Sequence, residues 1–179
     1  PFAGVTVDWD AYAESVRAAL APLGVTIAAA HEGASVEDAD VVMVGGGNTF
    51  HLLRHCRDRG LLERIARHVR AGAPYIGWSA GSNVACPTIM TTNDMPICDP
   101  HGFDALGLVP FQINPHYLHG NPPGFKGETR EERIREFGVL NPRVWVAGLR
   151  ECTGLGVEGD RLTLFGAGGS CRVFRHGRE

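Results

Sequence analysis

Residues 75–83, YIGWSAGSN, run an apolar stretch into a turn of small residues centred on Ser79. Tyr75-Ile76-Gly77-Trp78 reads as a strand that meets Ser79 directly. Gly77-Trp78-Ser79-Ala80-Gly81 then matches the G-x-S-x-G elbow, which exposes a serine hydroxyl at the top of a sheet. The two glycines let strand and helix approach closely around a strained turn. In that geometry the Ala80 N–H points at a developing oxyanion. The pentapeptide equally fits a plain strand-to-helix turn with Ser79 as the N-cap. A phosphate loop fits less well, because neither the Walker-type nor the dinucleotide-binding glycine string occurs.

The same alternation repeats upstream. Asp40-Val41-Val42-Met43-Val44 is a continuous apolar run of the kind buried on both faces of a parallel sheet. It leads into Gly45-Gly46-Gly47-Asn48-Thr49 and a helix over Phe50–Arg59, spaced through Leu52, Leu53 and Cys56. A second helix spans Leu61–Ala71 and ends at Gly72 and Pro74. Before these, Asp10–Leu20 predicts a helix ended by Pro22 and Gly24, and Val25–Ile27 a short strand. Strand, glycine turn, helix and strand in alternation define an α/β fold with a parallel sheet. Ligands of such sheets lie beyond the carboxyl ends of the strands, the edge that carries both glycine turns.

Downstream, Thr91–Pro100 reads as a loop, and Leu108–Ile113 as a strand leading to Asn114-Pro115-His116. Glu128–Phe137 predicts a helix capped by Thr129, with Glu132 at capping-box spacing. Val144–Leu149 predicts a strand that delivers Arg150 and Glu151. Arg161–Phe165 and Cys171–Phe174 read as a closing hairpin. With no internal repeat or linker, residues 1–179 are expected to form one catalytic domain. The abrupt start at Pro1, just past what reads as a strand end, suggests that an opening strand and helix are missing.

Composition narrows the function classes. At 179 residues, 44% hydrophobic and 21% charged, the chain matches an ordinary globular domain. A net charge of −3 with dispersed basic residues argues against nucleic acid or an anionic membrane as partner. Five cysteines, without CxxC spacing, fit free thiols in a cytoplasmic protein better than a disulfide scaffold or a structural zinc site. No 18-residue apolar run is present.

A nucleophilic serine needs a base. Of eight histidines, His116 stands out, because it follows a strand and Asn114-Pro115, where proline fixes the approach to the sheet edge. His51 and His55 have helical spacing but lack a third ligand or the glutamate of a metalloprotease motif, so no metal is expected. Two acids compete to orient His116. Glu151 ends a strand at the active edge, and Asp94 lies in a loop able to fold over the site; position favours Glu151. The glycines ahead of Asn48 can supply a second oxyanion donor. Arg130 is suited to bind a carboxylate bidentately, although on the residues alone a solvated helix arginine is the better reading.

Taken together, VGGGNTF, YIGWSAGSNVACPTI, TTNDMPI, GFDALGL, QINPHY, PPGFKGETREERIREF and GLRE resemble serine peptidase family S51, in the family's order and across nearly the whole chain. The resemblance implies a three-layer sandwich with a mostly parallel sheet, similar to class I glutamine amidotransferases. It also implies a homodimer without cofactor that hydrolyses dipeptides with N-terminal aspartate. Ser79 then corresponds to the nucleophile, His116 to its base, and Gly47 and Ala80 to the oxyanion hole. Both Glu151 and Asp94 have standing as the acid. Arg130, with Asn48, is implied in substrate binding, which reverses the reading from residues alone. Ser82 stands where alanine is usual, and Arg150-Glu151-Cys152 replaces a Pro-Glu-Gly. Two alternatives remain: a cyanophycinase-like hydrolase of β-aspartyl peptides, and a non-catalytic amidotransferase-like binding module.

Overall fold

The computed structural model describes every residue except Gly168 and Glu179. In chain order the principal elements are α1 (Trp9–Leu20), β1 (Val42–Val44), α2 (Thr49–Asp58), α3 (Leu61–Arg70), β2 (Tyr75–Gly77), α4 (Ala80–Ala85), β3 (Gln112–Pro115), α5 (Arg130–Leu140), β4 (Val146–Leu149), β5 (Gly154–Glu158), β6 (Arg161–Phe165) and β7 (Cys171–Phe174). β1 pairs in parallel with β2, and β3 with β4, each through a helical crossover of the type parallel strands require. β7 closes the β3–β4 sheet antiparallel on β4. The fold is therefore α/β with a mixed arrangement of parallel and antiparallel strand pairs.

Helix starts follow local chemistry. Asp8 caps α1 by accepting from the Ala11 N–H at 2.9 Å. Asn48 caps α2 through the His51 N–H at 3.1 Å. Thr129 and Glu132 form the expected reciprocal capping box at the start of α5. The main core packs β1 and α4 against α2 and α3 through Val42, Val44, Leu52, Leu53, Leu62, Ile65 and Val84. A smaller cluster of Tyr117, Ile134, Val146 and Phe174 seats α5 on β4 and β7.

The link between the two parallel pairs is a thiol. Cys86, completely buried, donates from Sγ to the Ser82 carbonyl at 3.3 Å and accepts from the Ile113 N–H at 3.2 Å. Burial pushes this thiol up to about 12, so it stays protonated and keeps its donor. Cys86 thereby ties the helix that follows Ser79 to the strand that precedes His116.

Four expectations shift. Val25–Ile27 forms no strand: the far edge of β1 has no ladder partner among the described residues, and Val25 is exposed. A cavity of about 680 Å³, lined in part by Val25, Ile27, Val41, Met43 and Trp78, opens there, so β1 is covered fully on only one face. β3 begins only at Gln112, since Pro110 has no N–H to donate to a ladder. β4 begins opposite it, at Val146. The closing hairpin is absent, because β6 pairs with β5 through a two-residue turn at Gly159-Asp160 while β7 returns to β4. Gly159 at φ 56° suits that turn.

Close packing decides where this fold is brittle. A Cβ on Gly81 would collide with the Val44 carbonyl, and one on Gly77 would lie 2.6 Å from the Gly81 carbonyl oxygen. Gly81→Ala is expected to lower stability by about 2–3 kcal/mol in urea denaturation. Gly156→Ala, whose Cβ would meet nothing nearer than 3.6 Å, is expected to stay within about 0.5 kcal/mol.

Candidate active site

Ser79 leaves β2 and caps α4 with φ 54° and ψ −115°, a conformation that a residue bearing a side chain rarely adopts. Four hydrogen bonds hold it there. The Tyr75 hydroxyl donates to the Gly81 carbonyl at 2.7 Å, and Ser82 Oγ donates to the Gly77 carbonyl at 3.1 Å. The Ser82 and Asn83 amides both donate to the Ser79 carbonyl, at 3.0 and 3.2 Å. The serine at position 82 thus reinforces the turn. Ala80 opens α4, so its N–H lies in the first turn, where no intrahelical acceptor exists. The β1 turn comes right up to the serine: a Cβ on Gly46 would sit 2.9 Å from Ser79 Cβ and 3.3 Å from Oγ.

His116 follows β3 and Glu151 follows β4, the parallel neighbour. The Tyr117 N–H donates to the Leu149 carbonyl at 2.9 Å, which locks the two strand ends together. His116 Nδ1 hydrogen bonds Glu151 Oε1. A carboxylate only accepts, so Nδ1 carries the proton and a neutral ring keeps Nε2 free as an acceptor. Both side chains are substantially exposed, at 48% and 68%. An exposed pair of this kind adds little stability, and its effect is to orient the ring. Among the described residues no hydrogen bond joins His116 to Ser79 Oγ.

Backbone strain gathers at these positions. Among the described residues, the non-glycine residues at positive φ are Ser79, His116, Cys152 and His101, at 54°, 55°, 56° and 60°. Two are candidate residues and a third directly follows Glu151. Such outliers persist only where the surrounding structure over-determines them, and they cluster at functional sites.

Asp94 has a different partner. Its carboxylate accepts from the Thr49 N–H at 2.7 Å and from Thr49 Oγ1 at 2.5 Å. Thr49 Oγ1 in turn accepts from Thr92 Oγ1 at 3.0 Å. Asn48 Nδ2 donates to the Met95 carbonyl at 2.9 Å. Asp94 therefore sits at the amino end of α2, where carboxylates are favoured. The loop beneath it is anchored to β3, because Asn114 Nδ2 donates to the Thr91 carbonyl at 2.9 Å and Thr91 Oγ1 to the Ile113 carbonyl at 2.9 Å. Arg130, first residue of α5, has a buried Nη1 without a hydrogen-bond partner among the described residues. Burial lowers its pKa, Arg133 adds to this, and the Asp94 charge opposes it. A partly buried guanidinium with one unpaired nitrogen favours an anion beside it.

The structure thus joins His116 to Glu151, Gly46 to Ser79, and Asp94 to Thr49, with Asn48 tied to the same loop. Thr49 and Gly46 are the contacts that sequence reading overlooked. The run of three glycines marked the turn, but only the packed backbone shows which of them meets Ser79. The one grouping of three metal-ligand side chains among the described residues, Asp10, His31 and Glu32, includes none of the candidate residues. Among the described residues no helix is long and apolar enough to cross a membrane.

A serine in a strained strand-to-helix elbow, with a histidine–carboxylate pair at the ends of two other strands that run parallel to each other, fits an α/β protein of the serine-hydrolase class. Comparison sharpens this. The model described as Peptidase family S51 matches residues 1–165, and the chain belongs to that family. It is 55% identical over 183 residues to "Peptidase E" of Shigella flexneri serotype 5b (strain 8401), a match that covers all of this chain and 80% of the relative. "Peptidase E" of Escherichia coli O1:K1 / APEC is 54% identical with the same coverage. Among solved structures, a candidate peptidase E protein from Listeria monocytogenes EGD-e superimposes with a TM-score of 0.63 at 25% identity, over 93% of this chain and 83% of that one. The three-layer α/β fold is shared.

Asp94→Ala removes the acceptor for both Thr49 donors. It is expected to cost about 1–2 kcal/mol in a urea titration, with hydrogen exchange quickening at the start of α2.

Proposed function

We propose that the chain is a serine dipeptidase that cleaves dipeptides with N-terminal aspartate through an acyl-enzyme on Ser79. One observation carries this reading: a G-x-S-x-G serine held at φ 54° in a chain that also holds a histidine oriented by a carboxylate, the histidine itself at φ 55°. Membership of a peptidase family whose relatives are called Peptidase E supports it.

In this mechanism His116 Nε2 takes the proton of Ser79 Oγ as the hydroxyl attacks the scissile carbonyl. Glu151 keeps the ring in the required tautomer and stabilises the imidazolium. The Ala80 and Gly47 amides receive the oxyanion, each donor worth about 3 kcal/mol of barrier. His116 then protonates the leaving amine, and water repeats the cycle on the ester. Arg130 receives the aspartate side chain of the substrate, with Asn48 beside it, and Asp94 holds the loop and is placed to attract the substrate ammonium. A neutral residue at the first position would leave the guanidinium unpaired, which is the basis of selectivity. The open state of the His116 side chain fits a catalytic hydrogen bond that tightens only on substrate binding.

The same reading takes residues 1–179 as one catalytic domain acting in the cytoplasm as a homodimer. The five free cysteines support a reducing compartment.

Asp-Leu is expected to be hydrolysed at least about 100-fold faster than Asn-Leu or Leu-Leu; equal rates would remove the aspartate claim. Ser79→Ala is expected to abolish turnover with an unchanged urea midpoint, and retained turnover defeats the nucleophile assignment. Glu151→Gln is expected to lower kcat by about 10³–10⁴, whereas Asp94→Asn acts mainly through KM and stability. The reverse ranking would make Asp94 the orienting acid.

A further inference from the structure

The two histidines of α2, which no catalytic step employs, form part of a directed chain of hydrogen bonds. Arg59 Nη1 contacts His55 Nδ1 at 2.5 Å, His55 Nε2 contacts His51 Nε2 at 3.0 Å, and His51 Nδ1 contacts the Phe2 carbonyl at 2.8 Å. The direction is fixed by the ends. A guanidinium only donates and a carbonyl only accepts, so each neutral ring accepts on its Arg59 side and donates on its Phe2 side. Burial above all, then any charge on His51 and the Arg59 guanidinium, lowers the pKa of His55, consistent with a neutral ring there.

What the chain holds lies against the β1 turn. Phe2 and Ala3 are buried, at 4% and 2% exposure. The Phe2 ring stacks on His55 at 5.8 Å, meets Trp9 edge-on at 5.1 Å and lies beneath Arg59 at 4.7 Å. Trp9 Nε1 donates to the Gly4 carbonyl at 3.0 Å. The next carbonyl along from Phe2, that of Ala3, accepts the Asn48 N–H at 2.8 Å. Gly47 presses on the same carbonyl, so closely that a Cβ there would collide with it. Two successive carbonyls are thus gripped by α2, one through His51 and one through Asn48, with Gly47 packed on the second.

We propose that His51 is a positioning residue for the hydrolytic reaction: it clamps Phe2–Ala3 against the Gly45–Asn48 turn, which sets the Gly47 N–H for the oxyanion, and His55 and Arg59 fix its tautomer. The proposal rests on the hydrolytic reading of the site. The clamp joins the Phe2 carbonyl to the His51 ring and the Ala3 carbonyl to the Asn48 backbone N–H, so His51 sets the oxyanion loop without itself touching substrate. A misplacement of about 1 Å at such a donor suffices to lower a rate up to about 100-fold. Loss of the clamp therefore appears in kcat and leaves KM nearly unchanged.

The test compares wild type, His51→Leu, His51→Asn and His55→Leu by steady-state hydrolysis of Asp-Leu and by NMR hydrogen exchange at the Asn48 amide. In His51→Leu, kcat is expected to fall about tenfold or more with KM within about twofold, and the Asn48 amide to exchange at least about tenfold faster. His51→Asn, whose side-chain amide stands near the place of Nδ1–H, is expected to restore both readouts to within about threefold of wild type. His55→Leu keeps the clamp but frees the tautomer and gives an intermediate loss, which serves if His51→Leu does not fold. Wild-type kcat together with wild-type Asn48 exchange in the Leu variants overturns the proposal, as does an Asn variant as impaired as Leu. A wild-type chain that fails to cleave Asp-Leu defeats the hydrolytic reading alone, and Asn48 exchange then decides the clamp by itself.

Discussion

Everything at the candidate site depends on one contact between two stretches of backbone, the packing of Gly81 on the Val44 carbonyl. It forces the end of β1 and the start of α4 to a separation that only glycine allows. Ser79 is carried into its strained conformation by that approach, since the turn must reverse within two residues of a strand. The same approach brings Gly46 to the serine side chain. A looser turn with alanine at position 81 would relax Ser79 to ordinary angles and withdraw the glycine loop at once. The proposed nucleophile and the proposed oxyanion loop are therefore two consequences of a single steric constraint.

A second level of organisation aligns the base. Cys86 fixes α4 on β3 with a protonated thiol that donates to one element and accepts from the other. β3 and β4 are in parallel register, Asn114 opposite Gly148 and Pro115 opposite Leu149, so the residues that leave their ends emerge side by side. A Cβ on Gly148 would fall 2.8 Å from the Tyr117 ring, which seats the buried tyrosine against β4 and turns the preceding His116 outward. Cys152, where the sequence resemblance leads one to expect glycine, adopts φ 56°. The backbone thus takes the turn that glycine would make easily, and Glu151 still reaches His116. The substitution leaves the geometry intact and adds strain behind the acid.

The alternation of apolar runs and glycine turns was enough to read the α/β class, the elbow, the α5 capping box and the residues that stand at strand ends. These are local signals, written in spacing and in residues with special backbone preferences. What escaped was set by pairing across distance. Val25–Ile27 has the composition of a strand but no ladder to join among the described residues, and β6 pairs with β5 across the two-residue turn at Gly159-Asp160. The partner of each carboxylate was equally hidden. Asp94 and Glu151 are both plausible acids by position in the chain, and only three-dimensional packing gives one to Thr49 and the other to His116. Likewise, His51 and His55 read only as helix residues without the third ligand of a metal site, because nothing in the sequence announces that Phe2 folds against them.

The division between the two carboxylates has a physical logic. Glu151 is exposed and bound to an exposed histidine, so in the empty site water competes with the pair and the ring is oriented more than it is energised. Asp94 is committed to two donors at a helix start, where its charge is already compensated. Arg130, by contrast, keeps a buried nitrogen unpaired. A dianionic or zwitterionic ligand that carries a carboxylate to Arg130 would displace water from the region between α5 and the Asp94 loop. The same event would raise the strength of every polar contact around Ser79 and His116, because their interactions deepen as the local dielectric falls. On the proposed reading, recognition of the acidic side chain and activation of the serine would be coupled through solvent exclusion. A neutral ligand, unable to satisfy Arg130, would leave the site wet and the histidine competing with water for its own partner.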